Sequence, residues 1–303
     1  MKLYIKKSNV IGAWLWIDKG YSKAWQEVGF DVEHVNNLSE INSSEYDISI
    51  REWDIETLED LSVLEKARRA YVFAQPQTFP LPWGRHPNFI STLSNNVIER
   101  LNQMENVFLW TFGNVNPKFH HKWKKVNTVP LAFDSISYKP LENTMSTKYD
   151  ICFIGGWANN GFNEKRKIII KNFFEFKNSG LKCGFFINKN LSHEQENNIL
   201  CNSMLSLNLH DNYQRVLGYD TNERTFKSLG LNGLLISDQV EQLTSMFPNV
   251  KTSNEPTELV KFAKDFLMLT KKEINNIKEE NKQKILEKHC YINRVQQLME
   301  LTN

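Results

Sequence analysis

Three short runs of this chain are apolar from end to end: Ala70-Tyr71-Val72-Phe73-Ala74, Ile151-Cys152-Phe153-Ile154 and Leu234-Leu235-Ile236. A strand with no polar alternation must be covered on both faces, as in a parallel sheet flanked by helices. Further strand patterns fall at 2–5, 30–35, 47–50, 106–110, 181–187 and 204–209. Helix-length segments separate them, near 19–28, 56–68, 89–103, 164–177, 192–201 and 221–230. Beyond Pro256 the pattern is helical to the end, with a break near His289-Cys290. Two successive series of alternating strands and helices predict an α/β chain of two Rossmann-like, doubly wound parallel-sheet domains. The boundaries read 1–134, a linker over 135–148, a second domain over 149–288 and a last segment over 289–303. Ligands of such sheets bind outside the carboxyl ends of the strands, so a cleft faced by the two domains is the expected site.

The 303 residues, 41% of them hydrophobic, suffice for two cores. A formal net charge of +2 gives no general basic footprint for nucleic acid. The cysteines, Cys152, Cys183, Cys201 and Cys290, are far apart and form no CxxC pair, so neither a zinc site nor a disulfide framework is indicated. Reduced thiols and a cytoplasmic location are the expectation. No signal peptide and no apolar run of about 20 residues is visible.

The segment Thr221-Asn222-Glu223-Arg224-Thr225-Phe226-Lys227 opens a helix that runs through Gly230 to Gly233 into the strand at Leu234. Asp220 or Thr221 is the expected cap, with Asp220 and Glu223 at capping-box spacing. The amides and dipole of a helix start suit a phosphate. Arg224 and Lys227, three apart, share a face and would add two cations. An ordinary amphipathic helix with solvated charges is the alternative.

Gly155-Gly156 follows a strand and precedes a helix, where backbone can approach a phosphate or sugar closely, although a simple tight turn fits the pattern too. Lys165 and Arg166 follow and could reach a diphosphate. His210 ends a buried strand and either touches a ligand or is structural. His120-His121 is a weak metal signal, and His34 is expected only to pack. Trp14 and Trp16 are expected in a loop after the first strand, while Phe79 and Trp83 lie in a proline-rich loop where exposure would permit sugar stacking. Glu52 and Asp54 are candidate bases by position or, alternatively, helix-start acids. The charged run 271–288 reads as a solvated helix face.

In order, the second half carries Phe153-Ile154-Gly155-Gly156, Leu207-Asn208-Leu209-His210, Arg224-Thr225-Phe226, Leu234-Leu235-Ile236-Ser237-Asp238, Leu243-Thr244-Ser245-Met246-Phe247 and His289-Cys290-Tyr291-Ile292-Asn293-Arg294. This set, over 149–301, resembles the CgeB-like glycosyltransferases, a GT-B group related to the retaining family 4 enzymes. The resemblance implies a nucleotide-diphosphate-sugar donor on the second domain and an acceptor mainly on the first. It further implies a terminal helix returning to the first domain, no metal and no cofactor. By position Gly155, Gly156, Arg166, His210 and Asn222 would line the donor site. Arg224, Lys227 and Glu223 would act on the leaving diphosphate and the ribose. Trp14, Trp16 and Trp83 would lie on the acceptor side. One departure stands out: the family commonly has a glutamate for the ribose hydroxyls where Lys227 stands, and its preceding glutamate would fall on Tyr219. A lysine accepts no hydrogen bond, so Glu223 would supply the contact or donor binding differs. The segment also weakly resembles inverting fucosyltransferases that use a GDP-sugar, with Glu223-Arg224 in place of Glu-Lys, which leaves retention or inversion open.

The expected function is transfer of a hexosyl or pentosyl group to a glycan, protein or other hydroxyl acceptor. Two alternatives stand beside it: a non-catalytic sugar- or nucleotide-binding module, and a phage-type glycosyltransferase acting on modified DNA bases.

Overall fold

The computed structural model describes residues 1–7, 13–141, 147–157, 162 and 164–302. Residues 8–12 of the expected first loop, 142–146 of the expected linker and 158–161 after the glycine pair lie outside the described residues. The chain divides into two compact units, Met1–Pro130 with Tyr291–Asn303, and Leu131–Cys290.

The first unit runs β1 (Lys2–Lys6), α1 (Ala13–Glu27), β2 (Asp31–Val35), β3 (Asp47–Arg51), α2 (Leu58–Lys66), β4 (Arg69–Phe73), α3 (Asn95–Gln103), β5 (Val107–Thr111) and β6 (Val126–Thr128). The sheet order is β2-β1-β3-β4-β5-β6, with every pairing parallel. The all-apolar run sits in β4, an interior strand, as double coverage requires. Leu61 and Leu64 of α2 and Ile98 and Leu101 of α3 share one core with Ile48, Val72 and Leu109. Trp25 of α1 packs against Tyr71, their ring centroids 5.1 Å apart. The last helix of the chain, α11 in the numbering below (Tyr291–Glu300), belongs to this unit. Its Tyr291 ring lies so close to Gly20 of α1 that a Cβ there would come within 2.5 Å of it.

Several expectations are corrected. Trp14 and Trp16 are on α1, which starts earlier than predicted. The helix expected over 89–103 begins only at Asn95, where the Ser94 hydroxyl accepts from the Val97 amide and fixes the start. Phe79 and Trp83 are 8% and 6% exposed, which rules out open stacking faces. His34 points outward from β2, exposed instead of packed. His120 is buried, its Nδ1 accepting from the Asn116 amide at 3.1 Å. Glu52 and Asp54 form a buried 3-10 turn after β3. Burial pushes the Glu52 carboxyl up to about 8, with Ser91 Oγ 2.5 Å from Oε2.

The second unit runs β7 (Tyr149–Gly155), α4 (Glu164–Lys177), β8 (Cys183–Ile187), α5 (His193–Cys201), β9 (Ser203–Asn208), α6 (Asn212–Leu217), α7 (Glu223–Leu231), β10 (Leu235–Ser237), α8 (Glu241–Met246), β11 (Lys251–Thr252), α9 (Pro256–Leu267) and α10 (Lys271–Lys288). Its parallel sheet has the order β11-β10-β9-β7-β8. Ile151, Phe153, Leu205, Leu207 and Ile236 form a core with Ile169 and Phe176 of α4 and Leu259 and Ala263 of α9. The expected cap of α7 is corrected: Asn222 caps it, its Oδ1 accepting from the Thr225 amide at 3.3 Å. Asp220 is engaged by the Gln214 amide (3.1 Å), so the Asp220–Glu223 box does not form. Thr221 gives its N–H to Gln242 Oε1 at 2.8 Å.

The buried Glu52 generates a prediction. Between pH 4.5 and about 8 the unfolded chain has lost this proton and the folded chain keeps it, so stability falls as pH rises through that window. Glu52→Gln removes the dependence. Its advantage over the wild type, followed by urea unfolding, should grow from pH 5 to pH 8 by up to ~1.4 kcal/mol per pH unit. Parallel stability curves would show that Glu52 is ionised.

Candidate functional site

In the second unit, the register pairing Ser237 with Asn208 and Cys152 with Ser206 brings the carboxyl ends of β10, β9 and β7 side by side. Onto this edge come Gly155, the segment Leu209-His210-Asp211 and the start of α7. The Arg224 guanidinium lies over the Phe153 ring at 5.6 Å and against Gly155, where a Cβ would fall 2.8 Å from Cζ. Glycine is therefore required at 155 for the arginine to lie flat on the strand end. Arg224 Nη1 donates to Asn208 Oδ1 (3.2 Å) and to the Leu209 carbonyl (3.3 Å). That carbonyl also accepts from Lys165 Nζ and from Asn222 Nδ2 (3.4 Å). One backbone oxygen thus gathers two cations and the helix cap. Burial draws the Lys165 ammonium down to about 8, against the pull of Asp211 3.9 Å away.

His210 is fully buried. Its Nδ1 lies 2.6 Å from Asp238 Oδ1, its Nε2 2.9 Å from Thr221 Oγ1, and its backbone N–H donates to the Asp238 carboxylate. Burial lowers its pKa although Asp238 opposes the shift. The expected ligand contact by this ring gives way to a holding role, because it presents no surface. Thr221 Oγ1 is 2.6 Å from Thr225 Oγ1, which in turn accepts from Asn208 Nδ2 at 2.8 Å.

Lys227 is corrected as a diphosphate cation. Its Nζ is 2.9 Å from Glu196 Oε2 and 3.4 Å from Glu223 Oε2, and it lies over the Tyr138 ring at 5.1 Å. Tyr138 gives its hydroxyl to Glu196 at 2.6 Å. Burial opposes ionisation of Glu196, yet Lys227 and Tyr138 hold its carboxyl below the usual range. Glu223 is raised by burial, with Lys227 opposing. Gly156 packs on Asn188, whose Oδ1 accepts from the Trp157 amide at 3.0 Å. Arg166 is exposed, 5.7 Å from the Trp157 ring. Gly155, Asn222, Glu223 and Arg224 therefore gather at one edge. Gly156 and Arg166 lie to its side.

Sequence reasoning passed over Glu196 and Tyr138 and gave Asn208, Thr225 and Asp238 no role beyond their place in the motifs. Asp238 carried a readable signal: a carboxylate directly after a fully apolar strand requires a buried partner. Glu196 carried none, since α5 meets α7 only in three dimensions.

In the first unit, Trp14 meets Trp53, Phe73 and Phe112 at centroid distances of 5.2–5.3 Å. Arg51 lies under the Trp14 ring at 4.7 Å and pairs with Asp18. Trp14, Asp18, Arg51, Phe73 and Phe112 line a cavity of about 30 Å³ at the carboxyl ends of β1, β3 and β4. Trp16 turns elsewhere on α1, with Lys19 over its ring at 5.2 Å. A larger cavity, about 250 Å³, lies by Phe108, Lys124 and Lys125, away from this edge. Among the described residues no three His, Cys, Asp or Glu side chains come together as a metal site, and no helix is long and apolar enough to cross a membrane.

Residues 153–300 match the family model described as glycosyl transferase-like. No curated protein matches the chain in sequence. Among solved structures, AviGT4, a glycosyltransferase involved in avilamycin A biosynthesis, is similar with a TM-score of 0.61 at 9% identity, over 99% of this chain and 96% of that one. The DNA-modifying enzyme β-glucosyltransferase is similar with a TM-score of 0.60 at 12% identity, over 100% and 99%. The T4 phage β-glucosyltransferase in complex with UDP-glucose gives 0.58 at 11%, over 100% and 97%. The architecture, two parallel sheets flanked by helices, is that of the GT-B glycosyltransferases. Residues 153–300 are thus similar to glycosyl transferase-like domains, and the fold of the chain is that of the GT-B glycosyltransferases.

Proposed function

We propose that the chain transfers a sugar from a nucleotide-diphosphate-sugar to a hydroxyl acceptor, with the diphosphate seated at the carboxyl edge of the second unit. The observation that carries this reading is the Arg224 guanidinium, laid against Gly155 beside the first turn of α7. A cation and helix-start amides meet there where a leaving diphosphate would build negative charge. Lys165, just beneath, adds positive potential. No metal is needed in this reading, because these groups supply the countercharge. Glu223, on the first turn, takes ribose or sugar hydroxyls in place of the glutamate that Lys227 replaces. Lys227 neutralises and orients that carboxylate. The ordered motifs of the second half support a CgeB-like enzyme. The acceptor-side role falls to Trp14 and Trp16; Trp83 is too buried to share it.

The UDP-glucose complex of the T4 phage enzyme makes UDP the first nucleotide to try. A thermal-shift panel of UDP, GDP, CDP and dTDP in EDTA should show one that raises the melting temperature. Arg224→Ala should lose that shift and at least ~100-fold in turnover. No shift with any nucleotide, or full turnover in the variant, would remove the proposed site.

Gly155→Ala sets its Cβ 2.8 Å from Arg224 Cζ and 2.9 Å from Cζ of the buried Phe153 ring, so the guanidinium must move and the ring must give by a few tenths of an ångström. Its nucleotide affinity, measured by calorimetry well below its melting temperature, should fall about tenfold, since a displaced arginine forfeits about one charge-assisted hydrogen bond. Equal affinity would place the diphosphate elsewhere.

Lys227→Met leaves two nearly buried carboxylates without their cation. Denaturant unfolding should show a loss of about 3 kcal/mol. A loss near zero would mean that Glu196 and Glu223 are already protonated or solvated.

A further inference from the structure

Four side chains, Asn208, Thr225, Thr221 and His210, link Arg224 to Asp238 in one continuous series of hydrogen bonds, and the chemistry of its two ends, with a neutral His210 ring, sets the direction of every bond. A guanidinium can only donate, so the Asn208 atom facing Arg224 Nη1 at 3.2 Å is the amide oxygen. The Asn208 nitrogen therefore faces inward. It donates to Asn222 Oδ1 (3.0 Å), itself fixed as an oxygen by the Thr225 amide it caps, and to Thr225 Oγ1 (2.8 Å). From the other end, the Asp238 carboxylate can only accept, so a neutral His210 ring carries its proton on Nδ1 and leaves Nε2 bare. Thr221 then donates to Nε2 at 2.9 Å, and Thr225 donates to Thr221 Oγ1 at 2.6 Å. The imidazole proton sits on Nδ1 and is donated to Asp238 Oδ1 at 2.6 Å. A carboxylate can only accept, and the series ends there.

We infer that Asp238, His210, Thr221 and Thr225 are positioning residues, a polarised relay that keeps the Asn208 oxygen turned toward Arg224 and so presents the guanidinium to the donor diphosphate. None of the four needs to touch the donor. Aligned bonds polarise one another, so the relay strengthens its last member at Arg224. The inference rests on the diphosphate reading of Arg224, but the proton positions it requires do not.

Two measurements test it. Nitrogen-15 spectra of the histidine rings, assigned with a His210→Asn control, should show neutral His210 with its proton on Nδ1 in the wild type. Asn208→Asp keeps an acceptor toward Arg224 but presents only acceptors to Thr225. Both hydroxyls then reverse, and the spectrum should show a proton on His210 Nε2, three side chains along the series from the substitution. A wild-type ring protonated at Nε2, or an Asn208→Asp ring unchanged, would overturn the relay. For the positioning role, Thr225→Val interrupts the series with an isosteric, fully buried side chain. Its affinity for UDP, or for whichever nucleotide binds the wild type, should fall about tenfold, with Thr225→Ser restoring it. Wild-type affinity in the valine variant would overturn the role. If the wild type binds no nucleoside diphosphate, the diphosphate reading and the positioning role both fall, while the histidine spectra still decide the direction of the relay.

Discussion

A guanidinium held at the end of a parallel sheet, bonded among the described residues to neutral groups, is the arrangement on which the second unit turns. Arg224 bonds an amide oxygen and a backbone carbonyl, not a carboxylate. Its charge is therefore oriented without being cancelled by a direct ion pair, the condition under which it can serve an incoming anion. The acids nearby are engaged elsewhere: Asp238 with His210, Glu196 and Glu223 with Lys227. Charge is sorted along this edge so that one cation stays available, while the other acids and bases satisfy each other.

The same sorting accounts for the surroundings of Lys227. An unpaired lysine one turn after Arg224 would place a second cation beside it and repel it. The protein answers with a carboxylate from α5 and another one turn earlier on α7, leaving the cluster of Lys227, Glu196 and Glu223 with one net negative charge. Glu223 then keeps acceptor capacity at the first turn of α7.

The first unit uses burial in the opposite sense. Arg51 is sandwiched by Trp14 and Trp53 and tied to Asp18, while Glu52, one residue on, is so deeply enclosed that its proton stays on near neutrality. Two neighbouring residues thus differ in charge because Arg51 has the Asp18 carboxylate beside it, while Glu52, in the buried turn after β3, meets the neutral Ser91 hydroxyl.

Much of this was legible in the residues. All-apolar runs demanded doubly covered strands, and Ala70–Ala74 and Leu234–Ile236 are inside sheets. Helix-then-strand spacing placed Gly155, Asn222 and Arg224 at strand and helix ends, where parallel topology brings them together. Local pattern could not tell which of several short polar residues would cap α7, since Asp220, Thr221 and Asn222 are equally suited and the choice fell to partners distant in sequence, Gln214, His210 and Gln242. Nor could it tell that Trp83 is covered, that His210 is enclosed, or that Lys227 faces Glu196. The sequence determined the alternation, the two sheets and the residue types at their edges, because those follow from periodicity and solvation along a few neighbours. Only the tertiary structure decided which charges meet, because a pairing between α5 and α7, or between the ends of β9 and β10, is set by packing across tens of residues that no local pattern encodes.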